Sequence, residues 1–335
     1  MHLRIRTIAG LLALAILGHP ASINSNSNGI QRRIPVSSGD TLRFAAFGDY
    51  GSAGKSEAAV ASLVGSHAPD IIITTGDNSY GSNALDVNIG QYYSNYIGNY
   101  AGSYGAGSVP NRFFPTLGNH DFNDGGGLGA YLAYFTLPDS GVLDTSTSGN
   151  ERYYDFVRGP VHFFAIDSDA REVDGRDSTS TQAKWLKARL AASTSPWQVV
   201  YFHHASYSSA LHGSELAMRW PFEAWGADVA FAGHDHVYER LLVDQNGDGN
   251  PIPYLVTGAG GRDLYEFGTP LEESVVRYSS DFGALIVEAT DEYMNFKFYS
   301  INTSHGTAGL VDDYTITRNR TVEEATWGAI KEIYR

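Results

Sequence analysis

No cysteine occurs among the 335 residues. That excludes disulfide frameworks, thiolate nucleophiles and sulfur-ligated zinc. Long apolar runs are missing too. The best, IAGLLALAIL (8–17), is too short to span a bilayer, and no later stretch reaches 18 apolar residues. Positive charge is scarce: 23 Lys and Arg face 37 Asp and Glu, for a formal net charge of −14, with no basic run. Such a surface repels polynucleotide phosphates, so nucleic acid is excluded as a partner. A small anionic substrate remains compatible if a local cationic centre meets its charge.

The amino terminus has the pattern of an export signal. Arg4 and Arg6 precede the apolar run, and GHPAS follows it. Residues 1–22 are therefore expected to be a signal peptide, with cleavage between 18 and 25 and a secreted, periplasmic or extracellular destination. Loss of the two arginines would take the charge from −14 to −16. The polar stretch INSNSNG (23–29) predicts a flexible leader over 23–39. No membrane contact is expected of the mature chain. No coiled coil or apolar patch argues for assembly, so monomer is the default.

From about residue 40 the sequence alternates strand, turn and helix. Apolar runs of strand length lie at 42–47, 70–75, 161–167, 198–203 and 228–232, and helical periodicity covers 55–67 and 181–193. Buried runs alternating with helices predict an α/β sheet covered on both faces. Further on, 241–258 reads as a hairpin around Asn-Gly-Asp-Gly, and 283–290 with 293–301 as a second strand pair. One domain spans 40–318, followed by a charged tail, 319–335, expected to be helical. Tyr92, Tyr93, Tyr96 and Tyr100 fall mostly at helical spacing and predict an aromatic face on the core, with Tyr104 in an exposed loop. Asp244, Asn246, Asp248 and Gly249 imitate half of a calcium loop. Its twelfth position is Leu255 where a Glu is required, so the stretch reads as a turn.

Metal-competent residues follow strand-like runs at five points: GDYG (48–51), GDNSY (76–80), GNHD (118–121), HH (203–204) and GHDH (233–236). Sites collect where loops leave the carboxyl ends of strands, and a preceding glycine lets the backbone turn sharply. Any one cluster could be an ordinary turn; five together form a constellation. Oxygen and imidazole donors without thiolate suit iron, manganese or zinc. The candidates are Asp49, Asp77, Asn119, His203, His234 and His236, with Tyr80 as a seventh. Seven donors are too many for one ion and suit two, which would share a carboxylate and serve phosphoryl transfer. Strand alternation points His204 away from His203 and out of the donor set. Tyr50 reads as either pocket lining or packing.

In this order, GDYG, GDNSY, GNHD, VYFH (200–203) and GHDH resemble the five blocks of the calcineurin-like metallophosphatases. Tyr80 after GDNS, and VYER (237–240) after GHDH, resemble the purple acid phosphatases, and the length is similar to the small, tartrate-resistant type. The resemblance implies a four-layer α/β/β/α sandwich with a single catalytic domain. It also implies a ferric ion on Asp49, Asp77, Tyr80 and His236, and a divalent iron, zinc or manganese on Asp77, Asn119, His203 and His234. Asp77 would bridge the two. His120 resembles the family's catalytic histidine, with Asp121 expected to orient its ring, and His212 matches the position of a second substrate-facing histidine.

The expected reaction is attack of metal-held hydroxide on a phosphate monoester, with His120 protonating the leaving oxygen. A trivalent ion would depress the pKa of bound water and favour acid pH. Tyr80 decides much of this, because a phenol with a pKa near 10 ionises readily only against a Lewis acid as strong as Fe(III). Two alternatives stay open: a phosphodiesterase of the same superfamily using manganese or zinc, and a metal-containing binding protein without turnover.

Overall fold

Val, Ile and aromatic residues crowd the apolar runs, and these runs form strands because branched and ring side chains pack well on a pleated surface. In the computed structural model, which describes residues 41–139 and 148–318, they build two mixed sheets. The expected signal, leader and C-terminal helix lie outside the described residues.

The first sheet contains β1 (Leu42–Phe47), β2 (Ile71–Thr74), β3 (Phe113–Pro115), β11 (Phe282–Ala289), β12 (Tyr293–Asn302) and β13 (Thr307–Thr317). The second contains β4 (Tyr154–Arg158), β5 (Val161–Ala165), β6 (Trp197–His204), β7 (Val229–Gly233), β8 (Tyr238–Val243), β9 (Ile252–Thr257) and β10 (Ser274–Tyr278). Their orders are β13-β12-β11-β1-β2-β3 and β10-β8-β9-β7-β6-β5-β4. Each sheet has a parallel run, β1-β2-β3 along one side of the first and β5-β6-β7-β9 in the centre of the second.

The sheets face each other across one apolar layer. Phe44 of β1 meets Phe163 of β5 at 5.1 Å and Phe231 of β7 at 6.1 Å, and Phe114 of β3 stacks on Phe156 of β4 at 3.7 Å. Each fully buried ring contributes on the order of 1.5–3 kcal/mol by leaving water, and paired rings add about 0.5–1.5. Alternation in β6 divides the work. Val199 and Tyr201 join this inner layer, while Val200 and Phe202 join a second core with Leu186 and Leu190 of the helix Thr181–Ala192. The helix Lys55–Ser66 covers the first sheet through Val60, Leu63 and Val64, packing over β11 and β12. The result is the four-layer α/β/β/α arrangement. Both parallel runs direct their carboxyl ends to one edge.

Candidate metal centre

The loops leaving β1, β2, β3 and β7, together with the end of β6, supply every candidate donor. Asp49, Asp77 and His234 adopt left-handed backbone conformations, with φ of 57°, 51° and 70°. Each such residue costs on the order of 1 kcal/mol or more, a strain that typically collects at functional sites. The glycines before them act differently from expectation. Only Gly76 is itself left-handed, with φ of 88°. Gly48, Gly118 and Gly233 are required by close approach, since a Cβ there would strike Thr75, Asp77 and the Asp49 carboxylate respectively. Hydrogen bonds tie the two sheets together at this edge: Gly48 N–H to the Thr257 carbonyl at 2.9 Å, and His234 N–H to Asp49 Oδ2 at 2.9 Å.

The donors fall into two sets of four that share Asp77. In the first, the Tyr80 hydroxyl lies 3.0 Å from Asp77 Oδ2, 3.3 Å from Asp49 Oδ1 and 3.3 Å from His236 Nε2, and His236 Nε2 is 3.3 Å from Asp49 Oδ1. In the second, His203 Nε2 lies 3.1 Å from Asn119 Oδ1, 3.1 Å from His234 Nδ1 and 3.5 Å from Asp77 Oδ2. About 3 Å is the spacing of neighbouring ligands that each sit roughly 2.1 Å from one ion at right angles.

Protonation tests whether cations fit. The Thr75 carbonyl can only accept, so the His203 Nδ1–H must donate to it, at 2.8 Å. The neutral ring then turns a bare Nε2 lone pair into the cluster. Burial first, then the neighbouring His204 and His234, holds His203 well below the ordinary imidazole range; His234 is lowered as well, chiefly by burial. Burial, and after it the charges of Asp49 and Asp121, pushes the Asp77 carboxyl well up. The Tyr80 phenol is raised by burial and then by Asp49 and Asp77. The two imidazoles are therefore neutral, while the Asp77 carboxyl and the Tyr80 phenol hold their protons until a positive charge displaces them. The donor set fits two metal ions. Asp49, Asp77 and His203 alone bring three ligand atoms within 4.8 Å of one another.

The remaining site residues are placed less evenly. His120 is part-exposed, and its Nδ1 lies 2.6 Å from Asp124 Oδ2. Asp121 does not orient that ring. Its buried carboxylate accepts from the N–H groups of Asn78 and Gly118 and from the Asn78 amide. The short 3-10 turn His120–Phe122 carries residue 121 under the loop, and the Asp124 N–H bond to the His120 carbonyl at 2.7 Å sets the i,i+4 residue beside the histidine. The His212 ring stacks on His234 at 4.1 Å, so it joins the cluster. His204 departs from simple alternation: the β6–β7 register shifts between Tyr201 and His204, and its ring lies 4.5 Å from that of His234. Tyr50 is buried packing, its hydroxyl donating to Asn78 Oδ1 at 2.9 Å.

Besides Asp124, two contributors were missed in the sequence. Arg171, after β5, donates to the Asn119 carbonyl at 3.0 Å and Asn123 Oδ1 at 2.8 Å, bracing the turn that carries His120. The loop GAGGR (258–262) after β9 packs against GDYG, and Tyr265 beyond it stacks on His236 at 4.0 Å. A glycine-rich loop directly after a strand was the available signal.

The family model for calcineurin-like phosphoesterases matches residues 40–238, over half of the chain. The chain belongs to the calcineurin-like phosphoesterase family. Members of that family use two metal ions, in keeping with the paired donor sets. Among characterised relatives, purple acid phosphatase 15 of Arabidopsis thaliana is 28% identical over 69% of this chain and 47% of its own length. Purple acid phosphatase 17 of the same plant is 27% identical over 70% of this chain and 74% of its own. The chain thus spans about half of one relative and three quarters of the other. The solved structure of purple acid phosphatase PPD1 from yellow lupin (Lupinus luteus) seeds shares the fold, with a TM-score of 0.63, 20% identity, and coverage of 84% of this chain and 54% of that one.

Proposed function

We propose that this calcineurin-like phosphoesterase is a secreted phosphatase of the purple acid type, acting on phosphate monoesters. The observation that carries the reading is the phenol of Tyr80 within 3.0–3.3 Å of Asp77, Asp49 and His236, beside a second donor set that lacks any such group. In this assignment Asp49, Asp77, Tyr80 and His236 hold a ferric ion, and Asp77, Asn119, His203 and His234 hold a divalent one. When bound, such ions supply charge for the phosphoryl oxygens and an ionised water near neutral pH.

The chain's own groups do the rest. His120 keeps Nδ1 on Asp124, a carboxylate that fixes the ring. Its Nε2 is then available to hold phosphate and to give a proton to the leaving oxygen as general acid. His212, stacked on His234, lines the same cleft. The relatives' names support the acid phosphatase reading.

The test is hydrolysis of 4-nitrophenyl phosphate by the wild type and His120→Ala, with metal content measured in both. Loss of turnover with unchanged metal supports the assignment. Full activity in His120→Ala contradicts the acid/base role, and a wild type that cleaves only diesters contradicts the monoester reading.

A further inference from the structure

Arginines near the cleft are mostly committed. Arg171 makes side-chain bonds to Asp169, Asn119 and Asn123, and Arg176 to Ser168 and Glu215. Arg262 is different. Its guanidinium lies over the Tyr80 ring, 5.0 Å from the centroid, and its one ion pair is a long, exposed contact with the adjacent Asp263 at 3.6 Å, beyond hydrogen-bond distance. Among the described residues its side chain donates no hydrogen bond, and it is 43% exposed. Five N–H donors are therefore left unspent beside a cluster of metal donors, on a surface of net charge −14.

This cation is also held in place. The Arg262 N–H donates to the Asp49 carbonyl at 3.0 Å, and Gly260 N–H to the Gly48 carbonyl at 3.0 Å. Gly261, with φ of 143°, lies against the Glu57 backbone where a Cβ would come within 2.7 Å of Glu57 Cα. The loop is seated directly on the strand end that carries Asp49. His120 approaches the same Tyr80 ring, with centroids 4.4 Å apart, so Arg262 and the proposed general acid are both neighbours of that phenol. A planar guanidinium with a free fork is suited to carboxylate and phosphate oxygens.

We propose that Arg262 is a specificity-determining residue whose guanidinium meets a second negative charge on the substrate, beyond the phosphoryl group being cleaved. The inference rests on the phosphatase reading and adds a substrate class to it: phosphate esters with an anionic leaving group.

The test compares two non-hydrolysable ligands, phenylphosphonate and 4-carboxyphenylphosphonate, by calorimetry on the metal-loaded protein, with 4-nitrophenyl phosphate hydrolysis run alongside. The wild type is expected to bind the carboxylated ligand about tenfold more tightly. Arg262→Gln brings the ratio of affinities close to one, Arg262→Glu takes it below one, and Arg262→Lys keeps part of it. A ratio that Arg262→Gln leaves at the wild-type value overturns the inference, even if both affinities fall, and assigns the arginine to Tyr80 or to the scissile phosphoryl group. A wild type that neither binds phenylphosphonate nor hydrolyses the nitrophenyl ester removes the phosphatase reading and this inference together. Binding of phenylphosphonate with a flat ratio removes only the inference.

Discussion

The two donor sets share one carboxylate and differ in almost everything else. The Tyr80 side gathers two carboxylates and a phenol around a single imidazole, whereas the His203 side adds two neutral imidazoles and an amide to Asp77. With the phenol ionised, the first set carries three negative charges and the second only the shared one. Hard, anionic oxygens match a trivalent ion, and imidazoles match a divalent one. The contacts behind the donors differ too. His203 has its Nδ1–H anchored on the Thr75 carbonyl, while His236 Nδ1 is buried without a partner and is steadied instead by the Tyr265 ring. This charge asymmetry in the protein is what the proposed pair of a ferric and a divalent ion would match. It also locates the phenol where a strong Lewis acid would sit.

Substitution of the shared residue has the largest expected effect. Asp77→Ala should lose both ions, and turnover should fall by several orders of magnitude, as metal analysis and a chromogenic assay would record. The halves can then be separated. His203→Ala is expected to lose the divalent ion and keep the iron, whereas His236→Ala should weaken the iron first. Loss of both metals from either variant would mean that the halves do not bind independently. His120→Ala, outside both sets, should lower kcat by about 10²–10⁴-fold at full metal content. Asp124→Asn should cost less, about tenfold, because it acts through the histidine.

A smaller effect tests the footing of the charged half. Glu57 braces the loop after Asp49 by accepting the N–H groups of Ser52 and Ala53, and its Oε1 is buried without a partner. Burial raises its pKa from 4.5 to about 9, so the folded protein keeps a proton that the unfolded chain releases across that window. Its stabilising contribution is fully present below about pH 4.5 and fades as pH rises toward 9. Glu57→Gln should flatten this decline, and denaturant titration should find it about 1–3 kcal/mol more stable than the wild type at pH 8.

Much of this was legible in the sequence because the ligand blocks sit where apolar runs end, and those runs became the parallel strands. The expected helices at 55–67 and 181–193 match Lys55–Ser66 and Thr181–Ala192, and the 241–258 hairpin forms as β8 and β9. Tyr93 is buried, and Tyr92, Tyr96 and Tyr100 pack partly against the core, although the helical turns end at Tyr96. Short strands such as β3, with three residues, carry too little pattern to read. Asp124 escaped notice because a 3-10 turn, not the block spacing, decides which acid faces His120. His204 was misdirected because period-two alternation fails across a register shift. Arg262 was invisible because its meaning depends on a contact with Tyr80, 182 positions away.

The central claim is that Tyr80 is a ligand and not a packing residue, and the visible spectrum tests it most directly. Wild type and Tyr80→Phe would be compared as purified, alongside metal analysis. A broad violet-to-purple band with about one iron per chain, absent in Tyr80→Phe, is the predicted result. A colourless wild type holding only manganese or zinc, with Tyr80→Phe equally active, would contradict it.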